Sequence, residues 1–323
     1  MRLLSGVLLC LMPLSAWAQG SVGSVTGLVL DPSGASVPNA RVVLKNIEKS
    51  VEQSTLTTEA GLYTFPSVAV GRYELTVEAA GFSRFAATEL RVESASVTRL
   101  DARLTLAAET EFVRVTAEPP LLQSETSSQA TVVNRNLLDR IPFQLAGTNR
   151  DVTSFIRLVP GVDGGSGNFR LVIAGGRQHT NEVLVDGVTN TYRASVNTPF
   201  SVRPSMTSVS EFRVEVAVPP AEFGRTSSGV IIMTTKSGTN ELRGNMDFLL
   251  RNNRLDARKY NQARADVTRQ GEGTFNLGGP VMLPRVYDGR NRTFFFTDLM
   301  VFRRINQPLD VVDTYPAEAL RRG

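Results

Sequence analysis

Arg72-Tyr73-Glu74-Leu75-Thr76-Val77-Glu78-Ala79 is the stretch on which the fold turns. Tyr73, Leu75, Val77 and Ala79 fall on one side, and Arg72, Glu74, Thr76 and Glu78 on the other. A strict two-residue period with one apolar side is a β-strand with one buried and one wet face. Thr98, Leu100, Ala102, Leu104 and Leu106 repeat the pattern against Arg99, Asp101, Arg103 and Thr105. Turn residues separate the runs: Asp31-Pro32-Ser33-Gly34, Glu59-Ala60-Gly61, Val70-Gly71 and Ala80-Gly81-Phe82. Short strands at this spacing predict a small β-sandwich over residues 21–108.

Upstream of it, Arg2 gives a positive start, Leu3 to Leu14 is an apolar run, and Ala16-Trp17-Ala18 is a small-x-small cleavage site. Residues 1–18 are therefore expected to be a cleaved export signal, too short to anchor a helix in a bilayer. The single cysteine, Cys10, lies inside that run, where lipidation is not expected, and the mature chain has no thiol. A disulfide framework and a thiolate metal site are thus excluded there. At 323 residues the chain is long enough for two or three domains, and 41% hydrophobic residues argue against wholesale disorder. The +4 charge is spread along the sequence, chiefly on Arg, whereas a nucleic-acid binder concentrates it on one face; no nucleic-acid partner is expected.

The residues of the sandwich also spell a family. Gly27 to Gly34, Val37-Pro38-Asn39-Ala40 to Leu44, Gly61 to Phe65, Gly71 to Val77 and Gly81-Phe82 closely resemble the carboxypeptidase regulatory-like domain. That resemblance implies a seven-stranded sandwich of the carbohydrate-binding-like group. It does not imply an enzyme. His179-Thr180-Asn181-Glu182 has the spacing of a zinc peptidase motif, but His179 is the sole histidine and a catalytic zinc needs about three protein ligands. No catalytic residue, metal or cofactor is expected.

Residues 109–130 read as a linker, with Pro119-Pro120 and a Ser/Thr-rich run after a short β-prone segment. Further on, Asn134 is placed to cap a helix through Leu137-Leu138, and Asp151 to start another over Val152 to Leu158. The Gly-rich run Asp163 to Asn168 fits neither a phosphate cradle nor a nucleophile elbow. Leu171 to Arg177, with its Gly175-Gly176-Arg177, then Asn181 to Gly187, ending in Asp186-Gly187, follow. Val209 to Val216, Ala221 to Arg225, with Gly224-Arg225, and Gly229 to Asn240 complete the series. In that order they resemble the plug domain of TonB-dependent outer-membrane receptors over residues 131–237, with Ala174 where many plugs carry Arg. The resemblance implies that a strand-like peptide ahead of the plug, Phe112-Val113-Arg114-Val115-Thr116, is the box captured by the periplasmic protein TonB. An ordinary last strand or interdomain linker is the alternative for those residues. Arg177, Arg213, Arg225 and Glu215 suit a domain seated in a polar lumen, and equally the surface of a free one.

From residue 238 to 323, Met246, Phe248 and Leu250 alternate with Asn245, Asp247 and Arg251, as in a wall strand between lipid and lumen. Asn252 to Gln270 reads as a charged extracellular loop, Gly273 to Val281 as a returning strand, Tyr287 to Asn291 as a turn, and Thr293 to Phe302 as a third strand. Gly278-Gly279-Pro280 and Arg292 to Phe296 resemble the opening strands of the Oar-like barrel, while Asp298-Leu299 departs from its usual Tyr-Glu. A plugged transporter barrel needs roughly 22 strands. About three fit here, so a fragment unable to transport by itself is expected.

The expectation is thus a mainly β chain: sandwich, α+β plug, and the first strands of a transmembrane β-barrel. It would be part of an exported outer-membrane transporter with its sandwich in the periplasm, with TonB and membrane lipid as partners and a ligand of unspecified class, carbohydrate included. The competing expectation is a secreted cell-surface or periplasmic module that binds carbohydrate or protein.

Overall fold

The computed structural model describes residues 22–106, 113–116, 129–134, 138, 150, 153–156, 158–164, 171–177, 180–191, 202, 204–216, 222–257 and 267–307. The first sheet of the N-terminal sandwich is built on β1 (Val22–Leu30), antiparallel to β4 (Leu62–Ala69) and parallel to β7 (Val97–Arg99) and β8 (Ala102–Arg103). The second runs in the order β3 (Glu52–Leu56), β2 (Arg41–Asn46), β5 (Gly71–Glu78), β6 (Phe85–Val92), β9 (Val113–Thr116). Tyr73, Leu75 and Val77 of β5 point inward against Val25, Val29, Val42, Leu44, Tyr63 and Phe65, as the alternation requires. Each such side chain contributes roughly 1.5–3 kcal/mol on burial.

The run from Thr98 to Leu106 is not one strand. It breaks at Leu100-Asp101, where side chains take over the ladder: the Asp101 carboxylate accepts the Leu28 N–H at 2.9 Å and the Leu100 carbonyl accepts the Tyr63 hydroxyl at 2.6 Å. Gly27 makes this possible, since a Cβ there would stand 1.9 Å from the Leu100 oxygen. Leu106 ends up exposed.

The central sheet has the order β10 (Gln129–Asn134), β15 (Val209–Val216), β16 (Gly229–Thr235), β13 (Glu182–Val185), β14 (Val188–Thr189). Pairing is antiparallel except between β13 and β16. One face packs Phe212, Val214, Ile231 and Met233 against Phe155, Ile156 and Val159. Of the helix expected over Val152 to Leu158, the described residues form a single turn, α1 (Thr153–Ile156), and turns run through Pro160 and Gly161. Of the helix expected after Asn134, only Leu138 is described; it is helical and buried. A hairpin of β11 (Val162–Gly164) and β12 (Leu171–Ile173) completes the domain. Both β9 and the start of β10 fall within the stretch read as linker.

The C-terminal sheet is β17 (Arg243–Asn252), β18 (Val267–Pro280) and β21 (Phe294–Gln307), all antiparallel, with a small hairpin of β19 (Met282–Leu283) and β20 (Tyr287–Asp288). The loop expected through Gln270 is shorter than read. β18 begins at Val267, because β21 is long enough to pair Val267 with Gln307 and extend the ladder. Among the described residues no helix is long and apolar enough to cross a membrane, which leaves crossing by strands open.

Candidate functional site at the junction of the sheets

The glycines singled out in the central domain converge. Gly175 turns the chain after β12 at φ 69°, and Gly176 packs on Ser228, where a Cβ would lie 2.2 Å from that serine's own Cβ. Gly229 opens β16 against Ile173 and the Glu215 carbonyl, at 2.5 and 2.6 Å from where its Cβ would be. Thr226 stitches the two stretches together, its Oγ1 lying 3.0 Å from the Thr180 carbonyl and 2.7 Å from that of Gly229, with one proton to donate between them. Asp186 and Gly187, both at positive φ, form the tight turn between β13 and β14. The Asp186 carboxylate accepts the Thr235 N–H at 2.8 Å and its hydroxyl at 2.7 Å, which ties the turn to β16. Arg177, Gly224 and Arg225 sit outside this knot and are exposed.

Charges that the sequence scatters are paired by the fold. Arg213 and Glu215 share one face of β15, wholly buried, with Nε to Oε1 at 2.5 Å. Arg150 reaches the C-terminal sheet: its backbone N–H and Nε donate to the two carboxylate oxygens of Glu272 on β18, at 2.8 and 2.6 Å. Asp298 on β21, noted above as a departure, accepts the hydroxyls of Ser205 (2.5 Å) and Thr207 (2.8 Å). Sequence reading missed Arg150, Glu272, Ser205 and Thr207. The available signal was the period-two row Gln270, Glu272, Thr274 and Asn276, all polar and all buried.

The opposite face of that sheet is apolar. Met246, Phe275 and Leu299 form one cross-strand row, and Phe248 and Val301 flank Gly273 in the next. Met246, Phe248, Leu250, Leu299 and Val301 are each 60% or more exposed. An exposed apolar band of this kind marks a face that packs against lipid or another protein surface.

Of the segment Phe112 to Thr116, Phe112 lies outside the described residues. Val113–Thr116 pairs in parallel with Phe85–Thr88 at the edge of the sandwich. His179 also lies outside the described residues, among which no group of three His, Cys, Asp or Glu could hold a metal. The outer face of β2, β3 and β5 forms a shallow charged groove in which Lys45 meets Glu52 (3.0 Å) and Arg84 meets Glu78 (3.2 Å). No aromatic side chain lines it, so it has no stacking platform for a sugar ring.

A regulatory-type sandwich, joined to a sheet whose covered face is polar and whose open face is apolar, defines an outer-membrane β-barrel protein with an N-terminal accessory domain. Comparison with known families agrees: residues 24–105 match the carboxypeptidase regulatory-like domain, and residues 234–323 match an outer membrane β-barrel domain. The chain is 28% identical over 292 residues to the TonB-dependent transporter Oar of Myxococcus xanthus. That alignment covers 84% of this chain and 26% of the relative, so the chain spans about a quarter of the relative's length. In sequence the chain is thus similar to TonB-dependent receptors of the Oar kind. Among solved structures, the siderophore receptor PirA of Acinetobacter baumannii is similar over 47% of this chain and 22% of its own, at 19% identity and TM-score 0.36. Catechol 1,2-dioxygenase from Acinetobacter sp. ADP1 is similar over 31% of this chain and 60% of its own, at 12% identity and TM-score 0.24. At such scores neither likeness bears on function; the sequence relationship carries the assignment.

Proposed function

We propose that this chain forms the gate end of an energy-coupled outer-membrane uptake receptor. The central domain is its plug, and β17, β18 and β21 are wall strands of the barrel around it. Residues 109–130 connect the sandwich to that plug, and Phe112 to Thr116 is the segment that TonB captures by strand addition. The sandwich lies on the periplasmic side once the export signal is removed. The observation that carries this reading is the two-faced sheet: Glu272 and Asp298 hold central-domain residues on one side, while Met246, Phe248 and Val301 stand bare on the other. Gly175, Gly176, Arg177, Asp186, Gly187, Gly224, Arg225 and Gly229 serve the plug by shaping its turns and rim. No covalent chemistry is assigned to any of them. β17 and β21 each leave one edge without a strand partner among the described residues, so a closed wall requires further strands.

The test is made on the full-length receptor in its own outer membrane. Val113→Pro with Val115→Pro removes two backbone donors from the segment and blocks strand addition. The expected result is loss of cross-linking to TonB and of energy-dependent uptake, with normal insertion in the membrane. Undiminished cross-linking would move the coupling segment elsewhere. Recovery of the receptor as a soluble periplasmic protein would sink the whole reading in favour of a secreted binding module.

A further inference from the structure

Among the described residues, the sandwich meets the central domain and the C-terminal sheet at three places. First, the turn from β6 to β7 lies on the central sheet. The Ser94 N–H donates to the Glu211 carboxylate at 3.0 Å, with Ser94 and Glu211 only 1% and 2% exposed, and Arg91 stands 3.8 Å from the other carboxylate oxygen. Second, Ala95 at the tip of that turn covers an apolar patch of Leu184, Val230 and Ile232, with Phe223 closing its side. Ala95 does so at φ 49°, a left-handed conformation that costs a non-glycine residue roughly 1–2 kcal/mol, and its N–H is held by the Val22 carbonyl at 2.9 Å. Third, the turn after β2 meets the start of the C-terminal wall: the Glu48 carbonyl accepts the Asn240 N–H at 3.1 Å, and Lys49 Nζ lies 5.8 Å above the Phe294 ring.

The central sheet has one face filled by its own core and a second face whose apolar patch, among the described residues, is covered from its own domain by Phe223 and from the sandwich by Ala95. On that second face Glu211, Arg213 and Glu215 alternate along β15 beside Val230 and Ile232 of β16. Buried charges of this kind cost several kcal/mol each unless they are paired and hydrogen-bonded, and the sandwich supplies Glu211 with the Ser94 N–H and Arg91 as partners. We infer that the sandwich is a clasp for the central domain, its Glu93–Ser96 turn seated on Leu184, Val230, Ile232 and Glu211 to keep this charged sheet face closed. This role is independent of whether Phe112 to Thr116 is the coupling segment, and it needs no sugar.

Thiol labelling tests it in a full-length receptor whose native cysteines are replaced by serine; within this chain the only cysteine is Cys10. Leu184→Cys and the exposed Leu242→Cys are placed singly in the full-length receptor and challenged with a polar maleimide. The clasp predicts that Leu184→Cys reacts at least about tenfold more slowly than Leu242→Cys, which corresponds to about 1.4 kcal/mol of docking. Adding Ala95→Asp, which puts a carboxylate into the patch beside Glu211, is expected to raise the Leu184→Cys rate about tenfold with no change at Leu242→Cys. Arg91→Glu, a surface change that cannot empty the sandwich core, is expected to raise it several-fold. The inference fails if Leu184→Cys is as reactive as Leu242→Cys in the parent chain. It also fails if either added substitution leaves the Leu184→Cys rate unchanged.

Discussion

Gly176 and Gly229 differ from Gly224 only in what surrounds them, and that difference sets their tolerance. A methyl group at Gly176 meets Ser228, and one at Gly229 meets Ile173 and a backbone carbonyl, whereas nothing lies within 4 Å of the Cβ position at Gly224. Gly176→Ala and Gly229→Ala should each destabilise the central domain by about 1–3 kcal/mol, and Gly224→Ala by under about 0.5 kcal/mol. Denaturant midpoints of the purified receptor check this. Glu211 supplies a pH dependence. Burial raises its carboxyl above the ordinary 4.5, with the Ser94 N–H opposing, Glu93 adding to the rise, and Arg91 and Arg213 opposing it. Folding therefore favours the neutral acid. Its stabilising contribution is present below pH 4.5 and fades as pH climbs through the raised folded value. Glu211→Gln should flatten this slope and melt higher than the parent at neutral pH, which a series of thermal melts from acid to neutral pH would show. These glycines stood out in the sequence because they formed ordered motifs. Arg150 did not, because its partner Glu272 is 122 residues away and nothing local betrays the pairing.

At the scale of strands, alternation was legible wherever a whole strand keeps one face dry. β5 and β17 follow the period as read, inward apolar in the first and outward apolar in the second. It misled where a side chain replaces the ladder, as Asp101 does between β7 and β8, and where pairing with a distant partner extends a strand, as β21 does for β18. Of the helix expected after Asp151, the described part is one turn, which carries Phe155 and Ile156 into the central core. The two faces of the C-terminal sheet lead to opposite forecasts. Phe248→Arg should cost roughly 2–4 kcal/mol if its row lies near the bilayer midplane, while Asn245→Arg on the other face should be tolerated. Folding yield into lipid vesicles distinguishes them. Arg150→Ala strands Glu272 in a buried site and should loosen the central domain from the wall by about 3–5 kcal/mol. Replacing both members with apolar residues should restore most of that, because no charge is then left unpaired; the same denaturant midpoints decide it.

Across the whole molecule, the sandwich, the central domain and the C-terminal sheet are joined, among the described residues, by a few contacts, each between residues far apart in sequence. That is why the order of the domains could be read from motifs, while the seat of the sandwich on the central sheet could not. Composition says nothing of a turn such as Glu93–Ser96, whose purpose appears only when Leu184 and Glu211 are beneath it. The edge strand β9 follows the same logic. Val113–Thr116 is paired with β6 along one edge, so a partner that captures it as a free peptide must first find it peeled away. A few backbone hydrogen bonds at about 1 kcal/mol net each would leave the free form populated at roughly 1–10%. The intact receptor should then bind such a partner about 10–100 times more weakly than a synthetic peptide of residues 109–120 does. A receptor at rest would be a poor bait, and whatever loosens β9 from β6 would act as a summons.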